Sequence, residues 1–151
     1  MFGSNGRKLW RLSRAREEDW PAIVALQSAE HRPKHEGSRV SEYFVAKVGD
    51  DLVGCVAGRH SGGIGYLYGL VVGKNWRRRG IGHALTDKCL SHLQTRNASQ
   101  VLALAMFWNV RFFKRHNFIV VKRSTFPGLM DLHGDFCEAW GCHSALLCVK
   151  L

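Results

Sequence analysis

The chain has 151 residues, 46% hydrophobic and 23% charged, a composition typical of one globular domain with its own core. It has neither an apolar run of the roughly 18 residues that span a bilayer nor an apolar signal segment, so we expect a cytoplasmic protein with no membrane partner. Lys and Arg outnumber Asp and Glu by 22 to 12, and the net charge of +10 favours polyanionic partners such as nucleic acid or a phosphate-rich small molecule.

The five cysteines, an odd number, are expected to be reduced thiols because the chain carries no export signal. Cys55 and Cys89 fall at apparent core positions, where a thiol behaves as a small apolar side chain. No cysteine is therefore assigned as a covalent nucleophile.

The first half of the chain predicts strands around a single helix. Residues 1–9 are polar and glycine-containing and are expected to be flexible, so the domain is predicted to span 10–151. Acidic residues at 17–19 begin a helix that runs towards residue 30. Alternating or apolar runs predict strands at 10–14, 43–48, 52–59 and 65–72. The last of these strands is apolar throughout, which predicts a central position, buried on both faces.

The second half predicts two helices and three strands. Apolar residues recur at i+4 steps, as on the buried face of a helix, at Ile81, Leu85, Cys89 and Leu93. A strand at 100–106, a short helix at 109–116 and strands at 118–122 and 143–151 follow. Asn117 is predicted to end the short helix in a left-handed conformation. The element order predicts a single-domain α/β fold, with a mixed sheet of about seven strands and helices on both faces.

A basic, glycine-rich turn joins the apolar strand to the helix that follows it. Its sequence is Arg77-Arg78-Arg79-Gly80-Ile81-Gly82. Glycines let a ligand approach the backbone closely, and the amides and dipole of a helix N-terminus favour an anion. The dinucleotide fingerprint is excluded, because Leu85 stands where its third glycine belongs, and the Walker pattern is absent too. The turn therefore predicts a phosphate site of another kind.

This stretch resembles the acyl-CoA-binding motif of the GNAT superfamily of N-acyltransferases, (Gln/Arg)-x-x-Gly-x-(Gly/Ala). Arg77, Gly80 and Gly82 occupy its defined positions, and Leu70-Val71-Val72 matches the strand end that precedes it. The predicted element order is similar to that of the GNAT fold along nearly the whole chain. The resemblance implies acetyl-CoA as the acyl donor and no metal.

The resemblance also implies a set of cofactor-binding residues. They are Leu70, Val71, Val72, Arg77, Arg78, Arg79, Gly80, Ile81, Gly82, His83, Asn109 and Phe112. Amides of 78–83 would hold the CoA pyrophosphate, and the backbone of Leu70 and Val72 would pair with the pantetheine arm. An amide near Val71 would hold the thioester oxygen as charge develops on it. The strand at 65–72 is implied to carry a bulge there and to separate from the strand at 100–106.

Two catalytic side chains that are common in the family are absent. The usual general-base glutamate corresponds to Tyr66, the next position on the same face is Tyr68, and the usual general-acid tyrosine corresponds to Phe113. A positioned acid or base contributes about 10²–10⁴ in rate. Tyr66 and Tyr68 are therefore assigned only to holding a water or positioning the substrate. Substitute acids and bases on a long loop at 124–141 and just after it are Asp131, His133, Asp135, Glu138 and His143.

The resemblance implies an N-acetyltransferase that moves an acetyl group from acetyl-CoA to an unidentified primary amine, of a small molecule or a protein, by direct attack in a ternary complex. We expect a monomer or homodimer. The missing acid and base are also compatible with a GNAT module that binds acyl-CoA without turnover. The basic charge keeps a nucleic-acid-binding domain open as a less favoured alternative. A metal site on the long loop lacks the close Cys-x-x-Cys pairs of common zinc sites. Its candidate ligands are His133, Cys137, Cys142 and His143.

Overall fold

The computed structural model describes residues 9–30, 38–126 and 144–151. The α-helices in these ranges are α1 (Trp20–Ala29), α2 (Ile81–Thr95) and α3 (Val110–Lys114). The strands are β1 (Arg11–Arg14), β2 (Tyr43–Val48), β3 (Asp51–Ser61), β4 (Ile64–Val72), β5 (Gln100–Met106), β6 (Ile119–Val121) and β7 (Ser144–Lys150). None of the described helices is long and apolar enough to cross a membrane.

The seven strands form one mixed sheet in the order β1-β2-β3-β4-β5-β7-β6. Pairing is antiparallel along β1-β2-β3 and along β5-β7-β6, whereas β4 and β5 run parallel. The centre of the sheet falls at β4, which confirms the prediction from its apolar run. The β4–β5 pairing extends from Ile64–Gln100 to Leu67–Ala103, although β4 continues to Val72 and β5 to Met106. The ladder therefore ends well before either strand does.

The chain divides into two compact units. One contains the described residues up to Ala57 together with Gly69–Cys89. The other contains Gly58–Tyr68 and the described residues from Leu90 onwards.

In the first unit, α1 and α2 lie on opposite faces of β2. Trp20 of α1 packs edge-on against Tyr43, with ring centroids 5.7 Å apart. Lys88 of α2 lies over the ring of Phe44, the next residue of the strand. Successive residues of a strand point to opposite faces of the sheet. The prediction of helices on both faces is thus confirmed.

Helix α2 buries the face that its periodicity predicted. Ile81, Leu85, Cys89 and Leu93 are each at most 1% exposed. Gly54 of β3 allows the close approach of this face, since a Cβ there would lie 3.1 Å from Leu85 Cδ1 and 3.2 Å from Ile81 Cγ2. The position of α2 against β3 therefore depends on a strand residue without a side chain.

Helix α3 ends in a Schellman motif. The amide of Phe118 donates to Phe113 O and the amide of Asn117 donates to Lys114 O, the two bonds that define the motif. Asn117 has φ of 67°, so its predicted left-handed conformation is confirmed. The Phe113 and Phe118 rings pack 5.3 Å apart across the turn. The helix is shorter than the predicted 109–116 at both ends. Asn109 belongs to a 3₁₀ turn, Phe107–Asn109, and the amides of Arg115 and His116 donate to the carbonyl three residues back, as in a tightened last turn.

Asp19, just before α1, forms a mostly buried ion pair. Its Oδ1 lies 2.7 Å from Lys47 Nζ, and its Oδ2 accepts a hydrogen bond from the Arg16 amide at 2.8 Å. Burial acts to raise the pKa of this carboxyl, but the bonds from Lys47 and Arg16 outweigh it and hold the pKa below the ordinary 3.8. Such a carboxyl stabilises the fold above its unfolded pKa, and the contribution is lost as pH falls through the folded pKa.

The Asp19→Asn variant is expected to lower the free energy of unfolding by about 1–3 kcal/mol at neutral pH, because Lys47 loses its charge partner. The difference from wild type should shrink below about pH 4, where protonation removes the same charge from the wild-type carboxyl. Urea unfolding on either side of that pH measures both values. Glu18→Gln, at an exposed pair with Arg16, is the control. A difference that stays constant across this range would contradict the assignment.

Candidate functional site

The chain leaves β4 through a tight turn that leads directly into α2. The amide of Gly73 donates to Val53 O at 2.8 Å, and a 3₁₀ turn follows at Lys74–Trp76. Two residues then take positive φ, Arg78 at 63° and Gly80 at 85°, and α2 begins at the next residue. Glycine adopts this conformation without strain, whereas for Arg78 it is costly, and such strain is typical of functional sites.

The first turn of α2 presents backbone amides at its N-terminal end. The amide of Ala84 donates to Gly80 O at 3.0 Å. The amides of Ile81 and Gly82 precede it and, by helix geometry, have no acceptor inside the helix. A Cβ at Gly80 would meet no heavy atom of the described residues within 4 Å. An anion can therefore approach these amides and the positive end of the helix dipole.

The three arginines of the turn have different surroundings. Arg77 forms an ion pair with Glu30, which follows α1. Arg79 lies over the Trp76 ring, 4.7 Å from its centroid. The Arg78 side chain is exposed and makes no hydrogen bond or ion pair within the described part of the chain. Arg78 is thus available to a phosphate, whereas Arg77 is engaged in holding the turn.

Gly69 interrupts the extended conformation of β4 just before the predicted cofactor residues. Its φ of 64° is one that glycine adopts at low cost, and glycines of this kind are typical of β-bulges. A Cβ at this position would lie 3.3 Å from both Tyr43 Oη and Gln27 Nε2. Gln27 donates to Tyr43 Oη at 3.2 Å, and that hydroxyl also pairs with Ser38 Oγ at 3.1 Å. Burial raises the pKa of Tyr43, so it remains a neutral phenol.

The amide of Val71 faces Cys55 on β3. Burial raises the pKa of the Cys55 thiol to about 12, and a hydrogen bond from the Val71 amide acts against this rise. The thiol donates to Gly69 O at 3.5 Å. Because backbone groups alternate in direction along a strand, those of Leu70 and Val72 point away from β3. Of the amides near Val71, the Val71 amide itself is thus directed at Cys55, and those of Leu70 and Val72 are directed away from β3.

In the second unit, Tyr66 and Tyr68 stack on one face of β4, with ring centroids 5.4 Å apart and planes 13° apart. Both side chains are buried. Arg59 of β3 lies over the Tyr68 ring, and its Nη2 is 3.5 Å from Tyr68 Oη. A Cβ on Gly65 would meet Leu93 of α2, so the tyrosines lie on the face of β4 directed away from α2. The structure brings the two predicted tyrosines together, beside a guanidinium.

Asn109 and Phe112, also in the second unit, lie at the start of α3. Asn109 is half-buried and is the residue immediately before the helix. Phe112 is half-buried and packs at right angles to Phe113, with centroids 5.2 Å apart. Phe113, which replaces the usual tyrosine, is buried in the core. Of the two neighbouring aromatic side chains, Phe112 is therefore the one with surface left for a ligand.

Seven residues that were considered as acids, bases or metal ligands lie outside the described residues: Asp131, His133, Asp135, Cys137, Glu138, Cys142 and His143. Residues 1–8 of the N-terminus also lie outside them. Elsewhere in the chain, the described residues contain no group of three or more His, Cys, Asp and Glu side chains that could hold a metal.

Burial also raises the pKa of Cys89 to about 12, so neither Cys55 nor Cys89 ionises near neutral pH.

A comparison with known protein families gives a match that covers most of the chain. The sequence matches the Acetyltransferase (GNAT) family over residues 9–118, a range that contains β4, the turn and all of α2. The chain belongs to the GNAT family of acetyltransferases. This GNAT chain matched no protein in a search of curated sequences.

Solved structures share the GNAT fold at low sequence identity. N-acetylglutamate synthase from Neisseria gonorrhoeae, complexed with coenzyme A and N-acetyl-glutamate, has a TM-score of 0.81 and 20% identity over 96% of this chain. The match covers 36% of that protein, so this chain spans about a third of its length. Rv2747 from Mycobacterium tuberculosis, in complex with CoA and NLQ, has a TM-score of 0.76 and 23% identity, and the match covers 93% of this chain and 99% of that one. Naa50 from Arabidopsis thaliana, in complex with the bisubstrate analogue CoA-Ac-MVNAL, has a TM-score of 0.72 and 15% identity, and the match covers 95% of this chain and 100% of that one.

Sequence reasoning missed two side chains that contact the predicted residues, Glu30 and Arg59. A carboxylate at the C-terminal end of a helix opposes the helix dipole, and this was the available signal for Glu30. For Arg59, the signal was the short turn at 62–63, which pairs the end of β3 with the start of β4. Neither signal names the group that the side chain contacts.

Proposed function

We propose that this GNAT protein transfers an acetyl group from acetyl-CoA to a primary amine, by direct attack of the amine on the thioester while both are bound. The domain responsible spans 10–151. The observation that carries the proposal is the start of α2, where the first-turn amides, the open space beside Gly80 and the exposed Arg78 favour a pyrophosphate. The CoA bound in structures of the same fold supports this choice of anion.

The backbone of β4 is proposed to hold the reactive end of CoA. Leu70 and Val72 direct their backbone groups away from β3. Both residues can pair with the pantetheine arm as an added strand would, Val72 through its amide, because Val72 O accepts a hydrogen bond from Arg77 Nε. Since the Val71 amide faces Cys55, the donor to the thioester oxygen is assigned to the amide of Leu70 or Val72. Such a donor stabilises the charge that develops as the amine attacks. Asn109 and Phe112 keep the cofactor contacts that membership of the family implies.

The acceptor amine has to lose its proton without help from the usual glutamate. Tyr66 and Tyr68 are proposed to hold a water that carries the proton away. At pH near 7.4, deprotonating a lysine amine of pKa about 10.4 costs about 4 kcal/mol, whereas an α-amine of pKa about 8 costs under about 1. We therefore infer an α-amine, of an amino acid or a peptide. N-acetyl-glutamate and CoA-Ac-MVNAL, bound to two similar proteins, are compatible with this class.

A GNAT module that binds acyl-CoA without turnover is the second candidate. The observation that favours it is the stacked, buried pair Tyr66 and Tyr68, which stands where a carboxylate base is usual. Losing a positioned base costs about 10²–10⁴ in rate, but holding the reactants in line supplies about 7–11 kcal/mol of the barrier. A thiol of pKa about 8.5 is also a good leaving group. We therefore favour the enzyme.

Acetyl-CoA at about 100 times its dissociation constant is expected to stabilise the protein by about 2.7 kcal/mol, which raises Tm by about 5–10 °C. Acetyl-pantetheine, which lacks the pyrophosphate, is the matched control and should give little shift. Thiol release with a panel of α-amines and lysine peptides then measures transfer. For α-amines the rate should rise with an apparent pK near 8.

Each outcome separates one hypothesis from the others. No Tm shift at saturating acetyl-CoA would exclude both the enzyme and the binding module. A shift without thiol release for any amine would leave the binding module. A rate on a lysine peptide that still climbs past about pH 9 and exceeds the α-amine rate would contradict the inferred acceptor class.

A further inference from the structure

We propose that Glu30 is a positioning residue for the acyl-CoA site, which fixes the turn between β4 and α2 in its binding conformation. The inference rests on the proposed function, because it gives Glu30 a part in CoA binding. Glu30 lies directly after α1 and outside the sequence motif, 47 residues before Arg77.

Both carboxylate oxygens of Glu30 bond to the turn. Oε1 accepts a hydrogen bond from the Lys74 amide at 3.0 Å, and Oε2 accepts from Arg77 Nη2. The same guanidinium donates through Nε to Val72 O at 3.3 Å. One carboxylate thus fixes two points of the turn, and the guanidinium connects it to the end of β4.

The surroundings of Glu30 differ from those of an ordinary surface ion pair. Its side chain is 16% exposed, and that of Arg77 is 50% exposed. The amide of Glu30 still donates to Leu26 O, so the carboxylate stands at the C-terminal end of α1, where the helix dipole disfavours negative charge. The bonds to Lys74 and Arg77 offset this unfavourable placement. The position of Glu30 is therefore better explained by its bonds to the turn than by any contribution to the stability of α1.

The contact determines what Arg77 does at the anion site. Because its guanidinium bonds to Glu30 and to Val72 O, Arg77 holds the turn, and Arg78 together with the α2 amides is left to meet the phosphates. A turn that is already held in place loses less conformational freedom when a ligand binds. Loss of Glu30 should therefore weaken CoA binding without changing the chemistry at the thioester.

Two variants remove the contacts of Glu30 to different extents. Glu30→Gln keeps an oxygen for the Lys74 amide but removes the charge paired with Arg77, and Glu30→Ala removes both contacts. We expect the Kd for CoA, measured by calorimetry, to rise about fivefold and about twentyfold respectively. The KM for acetyl-CoA should rise in parallel, and kcat at saturation should stay within about twofold of wild type.

Glu18→Gln is the matched control, because Glu18 pairs with Arg16 at 3.7 Å with both side chains more than 70% exposed. It should leave the Kd for CoA unchanged. If Glu30 acts through Arg77, the double variant Glu30→Gln with Arg77→Met should bind CoA no more weakly than Arg77→Met alone.

The results distinguish this inference from the proposed function. Unchanged CoA affinity in both Glu30 variants, beside a wild type that binds CoA, overturns the inference alone. A wild type that binds no CoA overturns the proposed function, and the inference with it. A fall in kcat as large as the rise in KM would show that Glu30 also affects the chemical step, and it would overturn a role confined to positioning the turn.

Discussion

Replacing Gly69 with Ala is expected to lower the free energy of unfolding by about 2–5 kcal/mol, a large effect for one methyl group. Two costs add. A side chain at φ of 64° carries the left-handed penalty of about 1–2 kcal/mol. The new Cβ would also lie 3.3 Å from Tyr43 Oη and Gln27 Nε2, which already bond to each other, so both groups must shift by a few tenths of an ångström to admit it.

Gly62→Ala separates the two costs. Gly62 has φ of 57°, close to that of Gly69, but a Cβ there would meet no heavy atom of the described residues within 4 Å. The Gly62→Ala variant should therefore lose only the free energy of unfolding that comes from placing a side chain at positive φ, about 1–2 kcal/mol. In a chain of this length the Tm should fall by about 4–20 °C for Gly69→Ala and about 2–8 °C for Gly62→Ala. Equal losses in the two variants would show that crowding by Tyr43 and Gln27 contributes nothing.

Gly80→Asp is expected to weaken CoA binding about 100-fold, because a carboxylate then faces the proposed pyrophosphate. The same change should not unfold the protein. Asp tolerates positive φ better than most residues, and there is open space around the Cβ position. A negative charge beside a helix N-terminus also stabilises the helix by about 0.3–1 kcal/mol.

Gly80→Asn has nearly the same shape and backbone tolerance without the charge. We expect it to bind CoA about tenfold more weakly than wild type, because its side chain enters the open space beside the amides, but about tenfold more tightly than Gly80→Asp, because it adds no charge. Without ligand it should be slightly less stable than Gly80→Asp. Stability and affinity should therefore rank the two variants in opposite orders. Thermal unfolding without ligand and calorimetry with CoA measure the two rankings. Equal CoA affinities for Asp and Asn would place the pyrophosphate away from the start of α2.

Much of the fold could be predicted from the sequence, because a buried face of a helix or strand makes apolar residues recur at a regular spacing. The i+4 recurrence of Ile81, Leu85, Cys89 and Leu93 predicted the buried face of α2, and all four are buried. The apolar run of β4 predicted the centre of the sheet, and the strand is there. The glycines and arginines of the turn likewise predicted a helix N-terminus suited to an anion.

The contacts that arrange the site could not be read in the same way. Glu30 meets Arg77 only because the end of α1 lies beside the turn, and no local pattern encodes that distance. The direction of the Val71 amide depends on how β3 and β4 pair after Gly69, and one residue of register reverses it. Periodicity fixes which face is buried, whereas the partner of a single polar group depends on the whole fold.

The burial of Cys55 bears on acyl chemistry at the proposed site. Thiols take acyl groups from thioesters through their ionised form, and Cys55 lies against the amide of Val71. With a pKa of about 12, only ~1 in 10⁵ of these thiols is ionised near neutral pH. Cys55 is therefore expected to be a poor competitor of the proposed acceptor amine for the acetyl group, although it lies against the strand proposed to hold the thioester.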